Sequence, residues 1–432
     1  MPHVRREKIL QFVRSIPPEQ GARIAHGLMY WAFLLCMLLF PFGHSFREAG
    51  SIIALISLVP YYYWNWSNSA LRRFPLAWAW LVFFLLILVN TVHSVAPLES
   101  WDVMAPNLRQ GFVFPLIAME CVRDGRDLKR FVLVFILATF AQGLDGMYQY
   151  TTGVDFIQGT AIYAGRLTGS MSTPRVGNYM AMALVPAMGL GFLLPCAWKS
   201  VLRWSVCLGL LFPGLFLLLF SQTRSGYLGF AVALAVLSVA VFRKVSMRSL
   251  AGLVLIVLVG GGLAMFFGPQ RMHLEAVAQD PRWELWGLAL DVFRAHPWFG
   301  AGVSAFNPAF NSMGLVAAIN GQDIPHPHNV YLQLLCELGI VGFVAAMVAL
   351  FGPLAWGYAR IRKGIAAAAD REQRLYWEMT AMIWGGYLAY LVTCISGHNF
   401  FRTWWLAFGM SLLGLFCGAC IRRKHPFSLP EF

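Results

Sequence analysis

Apolar residues run along this chain in blocks about as long as a bilayer is thick, separated by short polar segments. The blocks lie at residues 26–41, 50–66, 76–93, 104–121, 131–150, 177–195, 201–220, 225–242, 249–267, 329–357, 376–397 and 400–420. A helix needs roughly 20 predominantly apolar residues to cross about 30 Å of hydrocarbon. The pattern therefore predicts an all-α polytopic membrane protein of about twelve transmembrane helices. Two polar segments interrupt it. Residues 151–176 are rich in Gly and Thr, and residues 268–327 form the longest stretch without a spanning signal. A segment of that length is ordinarily functional rather than a simple connector. The expected organisation is helices one to nine over 1–267, a large external loop over 268–328, three more helices over 329–420 and a tail over 421–432. No cleavable leader is expected, because the first block lacks a small-residue cleavage site and further spans follow it.

Part of the large loop reads as a helix of its own. Asp280 can cap it and Pro281 suits its first position, while Trp283, Trp286, Leu290 and Phe293 recur at helical spacing. That stripe is expected to lie on the membrane surface or on the helix bundle. His296-Pro297 then ends the helix.

Composition agrees with a membrane protein: 58% of residues are hydrophobic, 12% are charged, and mean hydropathy is +0.61. Soluble domains carry about 25% charged residues. The aromatic content excludes disorder. The eight cysteines fall in or beside apolar blocks, which excludes a disulfide-stapled scaffold. Net charge is +13, yet the cations follow topology rather than a nucleic-acid surface. Alternate loops hold 24 of the 33 basic residues, among them Arg72, Arg126, Arg203, Lys244, Arg362 and Arg423. The positive-inside rule places those loops and both termini in the cytoplasm. No nucleic-acid partner is expected.

The other nine basic residues are all arginines: Arg47, Arg109, Arg166, Arg175, Arg224, Arg271, Arg282, Arg294 and Arg402. They fall outside the cytoplasm or near outer helix ends. A planar guanidinium fork fits phosphate bidentately, so as a set they favour a site for a phosphorylated ligand on the outer face. The bland alternative for any single one is interfacial snorkelling.

The sharpest segment for chemistry runs from Pro325-His326-Pro327-His328-Asn329 to Gly339, where the large loop enters the tenth predicted helix. His328 sits at a helix N-terminus, a setting that suits a neutral imidazole near an anionic ligand. Metal chemistry finds little support. His326 and His328 are two apart, no HExxH occurs, and the external acids make no DxD pair. No phosphate-binding Gly-rich loop or GxSxG elbow is present. Arginine, rather than metal, is expected to neutralise phosphate, with no cofactor. Arg224 and Arg402 each occupy a tight external turn, and Asp145 and Glu337 would be intramembrane carboxylates.

These residues resemble a known family, the O-antigen ligases, within the wider group that includes O-antigen polymerases and protein O-oligosaccharyltransferases. The family's His-Asn pair, nine residues before Gly-x-x-Gly, is matched by His328-Asn329, then Gly339 and Gly342. Its Arg-x-x-x-Leu is matched by Arg224 and Leu228, and its loop arginine ahead of the His is best matched by Arg282. The resemblance implies a GT-C-like glycosyltransferase of the bacterial inner membrane, active at the periplasmic face in lipopolysaccharide biosynthesis. The donor would be a glycan on undecaprenyl diphosphate and the acceptor lipid A–core oligosaccharide, both held among bilayer lipids. His328 would act as general base in an inverting, metal-independent transfer. Arg224 and Arg282, helped by Arg166, would hold the diphosphate, and His326, Asn329, Arg175 and Arg402 would give support. A polymerase or protein-glycosylating enzyme with the same donor is the enzymatic alternative. A transporter for the lipid-linked glycan is the non-enzymatic one, and it would want broken helices and ionisable groups at mid-membrane.

Overall fold

The computed structural model describes residues 17–173, 175–195, 197–243, 275, 280–314, 326–397 and 399–421. The described residues form no strand, only helices and two isolated bridges, Val154 with Ala161 and Tyr163 with Arg166. The helices, omitting single turns, are α1 (Pro18–Leu39), α2 (His44–Asn65), α3 (Ala77–Val92), α4 (Pro97–Leu108), α5 (Phe114–Cys121), α6 (Gly125–Thr152) and α7 (Val176–Ala187). They continue as α8 (Ser200–Phe220), α9 (Arg224–Val236), α10 (Arg282–Ala295), α11 (Phe306–Ser312), α12 (Val330–Ala366), α13 (Arg371–Thr393) and α14 (Thr403–Ile421).

Among the described residues eight helical segments are long and apolar enough to cross a bilayer, which makes this a multi-pass membrane protein. They contain α1, α6, α7, α8, α9, α12, α13 and α14. The remaining expected spans are accounted for differently. The block at 50–66 lies in α2, which is long enough but contains Pro60 and ends in Tyr61, Tyr62, Tyr63, Trp64 and Asn65. The block at 76–93 is the shorter α3, and the block at 104–121 is interrupted. There Pro106 and Pro115 lack the amide that a continuous helix would use, Gly111 adds backbone freedom between them, and a wide turn over Arg109–Val113 separates α4 from α5. The block at 249–267 and Arg271 lie outside the described residues.

Lipid and protein neighbours are distributed unevenly. The apolar window of α14 is 89% buried, whereas that of α8 is 28% buried. Tails of lipid are as apolar as leucine, so helices must associate through close packing, and small residues permit it. A Cβ on Gly414 would lie 2.3 Å from the Pro115 carbonyl oxygen, and one on Gly418 would lie 2.3 Å from that of Met119. Residues four apart on α14 thus lay its backbone along α5.

The long helices alternate in direction. At one end of the bundle α6, α8 and α13 finish while α7, α9, α12 and α14 begin. Contacts there include the Leu167 amide on the Phe220 carbonyl at 3.2 Å and the Tyr331 hydroxyl on the Leu391 carbonyl at 2.6 Å. At the other end Arg362 reaches the Val241 carbonyl at 2.6 Å and Tyr376 the Ala419 carbonyl at 2.8 Å.

The loop helix forms as α10, one residue later than expected. Its first residue is Arg282, and the Asp280 carboxylate accepts the Arg282 amide at 3.2 Å. The inward face is Leu285, Ala289 and Val292, which join Phe306, Phe310 and Cys336 in a second small core. The predicted stripe straddles the boundary: Trp286 and Phe293 pack against that core, while Trp283 stays 54% exposed. The segment after α10 is seated on a break in α12. Gly339 has φ 66°, a left-handed conformation that only glycine adopts cheaply, and Ile340 donates to the Pro297 carbonyl at 2.8 Å. Ala301 and Gly302 donate to the Cys336 and Glu337 carbonyls at 3.0 and 2.9 Å. The carbonyls released by the break are thus satisfied by the loop.

Replacing Gly414 by Val should lower the detergent melting temperature by several degrees, reflecting overpacking of about 2 kcal/mol. A variant as stable as the parent would mean that α14 does not run against the α5 backbone.

Candidate active site

Four of the sequence-predicted arginines start helices at the same end of the bundle. Arg175 immediately precedes α7, Arg224 opens α9, Arg282 opens α10 and Arg402 immediately precedes α14. Local packing brings α7 and α9 together: a Cβ on Gly177 would collide with Ser221 and Thr223, and one on Gly226 would meet the Gly177 carbonyl. The starts of these two helices, with Arg175 and Arg224, are therefore neighbours.

A carboxylate links the next pair. Asp280 Oδ2 lies 3.5 Å from Arg224 Nη1, and Asp280 Oδ1 lies 3.8 Å from Arg282 Nε. Arg282 also donates through Nη1 to the Ser396 hydroxyl at 2.9 Å. Arg224 and Arg282, 58 positions apart in sequence, are thus joined by one acid that sequence reasoning had read only as a cap.

His328 completes the group. It takes a left-handed φ of 54°, unusual for a side-chain-bearing residue and often found at functional sites. Asn329 next to it is the N-cap of α12, its Oδ1 accepting the amides of Tyr331 and Leu332 at 3.0 and 3.2 Å. Asn329 is thus placed to hold the backbone of the helix start. The His328 ring makes a hydrogen bond to the Gly397 backbone, lies 4.4 Å from the His326 ring at a tilt of 47°, and faces Arg282, Arg175 and Asp280. Burial, followed by the positive charge of Arg282, holds its imidazole below the ordinary value. It is therefore neutral at pH 7. One nitrogen is engaged at Gly397, and the other is left to accept a proton.

His326 is 8% exposed, and its Nδ1 has no partner among the described residues. Burial and the charges of His328, Arg402 and Arg175 push it down to about 3. Arg175 and Arg402 bear on His326 together, and burial, with Arg402 as neighbour, lowers Arg175 to about 10. Burial also lowers Arg402.

Arg166 is placed otherwise. It is 8% exposed, with Nε on the Ser221 carbonyl at 2.8 Å and Nη2 on Thr223 Oγ1 at 3.0 Å, so it braces the turn that leads into Arg224. Its segment is pinned in turn by Asp145, which accepts the Ser170 amide at 2.7 Å, and by Gln149, which accepts the Thr168 amide at 2.8 Å. Leu228 is 49% exposed. Arg294 pairs with Asp291 at 2.6 Å near the far end of α10. Ser396 and Gln333 had no part in the sequence-based site. The available signal for Gln333 was a lone amide inside an apolar run.

Residues 209–347 match a family model described as O-Antigen ligase. The segment bearing Arg224, Arg282 and His328 is therefore similar to that family. A protein of Rickettsia prowazekii, provisionally named a polysaccharide ligase, is 24% identical over 250 residues, 51% of this chain and 56% of that protein. A protein of Rickettsia conorii with the same provisional name is 24% identical over 242 residues, again 51% and 56%. The chain thus spans about half the length of the curated relatives it matches. The matched segment holds the shared acid, the His-Asn pair and the glycine of the helix break, whereas Arg166, Arg175 and Arg402 lie beyond it.

Changing Asp280 to Asn keeps an acceptor for the Arg282 amide but removes the charge shared by the two arginines. Inorganic pyrophosphate should then bind about threefold to tenfold more tightly, on the order of 1 kcal/mol. Calorimetry in detergent measures this, and weaker binding would mean that the arginine pair is not the anion site.

Proposed function

We propose that this protein is an O-antigen ligase: an inverting glycosyltransferase that moves a polysaccharide from undecaprenyl diphosphate to lipid A–core oligosaccharide at the periplasmic face of the inner membrane. The observation that carries the reading is a neutral, oriented imidazole beside two arginines joined by a single acid. His328 accepts the proton of an acceptor hydroxyl as its oxygen attacks the anomeric carbon. The bond from that carbon to the diphosphate breaks with inversion, and undecaprenyl diphosphate leaves. Arg224 and Arg282 meet the charge that grows on the departing diphosphate, and Arg175 and Arg402 extend the same field. Arg166 acts one step back, by holding the turn before Arg224. Arginine supplies the countercharge, and the mechanism needs neither metal nor cofactor.

The transporter alternative gains one point, the break in α12 at Gly339. The loop backbone pins that break from Pro297 to Gly302, which favours a fixed structural element over a moving gate.

Purified protein, mixed with both lipid substrates and EDTA, should form ligated product. His328→Ala should cost about 10²–10⁴ in rate, and Arg282→Ala on the order of 10²–10³. A requirement for added divalent metal, or full activity in His328→Ala, would refute the mechanism.

The pH dependence follows from the lowered imidazole. A base must be unprotonated to act, so activity should persist on acidification to below about 6.5, the ordinary histidine value. Removing the Arg282 charge should move that acid limb upward. A wild-type limb at or above the ordinary value would contradict the description of His328.

A further inference from the structure

Gln333 is fully buried one turn into α12, and its amide uses all of its near capacity. Nε2 donates to Asn399 Oδ1 at 2.8 Å and to both carboxylate oxygens of Glu337 at 3.2 Å, while Oε1 accepts the Phe400 amide at 2.8 Å. Glu337 is equally buried and receives the Ser304 amide at 2.9 Å together with the Phe306 amide. An unbroken run of hydrogen bonds therefore joins the loop segment before α11, the inner face of α12 and the turn between α13 and α14.

That turn carries much of the site. Ser396 holds Arg282, Gly397 holds the His328 ring, and the Arg402 amide closes onto the Asn399 carbonyl at 3.2 Å. We infer that Gln333, backed by Glu337, is a positioning residue that fixes the described residues of this turn, Ser396, Gly397 and 399–402, and through them the orientation and proton-accepting nitrogen of His328. The charges facing His328 and its neighbour are Arg282 and Asp280 from the start of α10, Arg175 from before α7 and Arg402 from before α14. Replacing Gln333 alters none of them. A change in His328 titration on such replacement would accordingly report geometry.

This inference rests on the ligase reading for its activity readout alone. The test uses full-length protein in detergent carrying Gln333→Met, similar in size but without the hydrogen bonds. Asn399→Ala cuts the same link from the turn side and is read identically should Gln333→Met fail to accumulate. Of the two protonation states of histidine, diethyl pyrocarbonate modifies only the neutral one, so peptide-resolved labelling of His328 against pH gives its midpoint without any substrate. The midpoint should move from its wild-type value, because the Gly397 bond and the burial that act on it in opposite senses both depend on the ring's placement, and turnover should fall roughly tenfold to a hundredfold with donor KM within about threefold. An unshifted midpoint together with a turnover within about twofold of wild type would overturn the positioning role. A shifted midpoint in a protein that makes no lipid A–core product would uphold that role and refute the acceptor assignment instead.

Discussion

Positive side chains normally avoid helix N-termini, where the backbone dipole already contributes positive charge. Here Arg175, Arg224, Arg282 and Arg402 each stand at or just before the first turn of a helix, and those turns gather at one end of the bundle. Each such placement ordinarily costs some tenths of a kcal/mol, and partial burial adds desolvation. The arrangement is tolerable because Asp280 neutralises part of it and because an anionic ligand would neutralise the rest. Helix N-termini are themselves phosphate-binding elements, so backbone and side chains call for the same ligand.

The same constraint explains the neutral histidine. An imidazolium at position 328 would add one more cation to a field that already contains several. The field and burial both favour the neutral form, and the backbone of Gly397 fixes the ring. An imidazole held in this way owes its properties to the starts of α7 and α10 and to the turn before α14. The break at Gly339 contributes indirectly: it lets the segment after α10 pair with α12, which fixes the loop whose first helix carries Arg282.

Much of this was legible in the amino-acid sequence. Apolar blocks located the helices, because bilayer thickness imposes a length that composition reveals. His328, Arg224 and Arg282 stand out as candidates from residue type, position at predicted helix ends and the spacing to Gly339. Four things were hidden. Asp280 read as a cap because a cap and an ion-pair partner have the same local signature, and only tertiary contact distinguishes them. Arg166 read as a ligand because its bond to the turn at Ser221–Thr223 spans more than fifty residues. The interruption between α4 and α5 was hidden because Pro106, Gly111 and Pro115 sit in an otherwise apolar block. Gln333 had only its polarity to betray it, and polarity alone does not say which partners an amide will find.

The central claim is geometric: the diphosphate of the donor takes the place that Asp280 now holds between two arginines, beside His328. A structure with undecaprenyl diphosphate bound tests this most directly. The account predicts phosphate oxygens within hydrogen-bonding distance of both Arg224 and Arg282, with the linking oxygen turned toward His328. A diphosphate bound at the opposite end of the bundle, or at this end touching neither arginine, would contradict it.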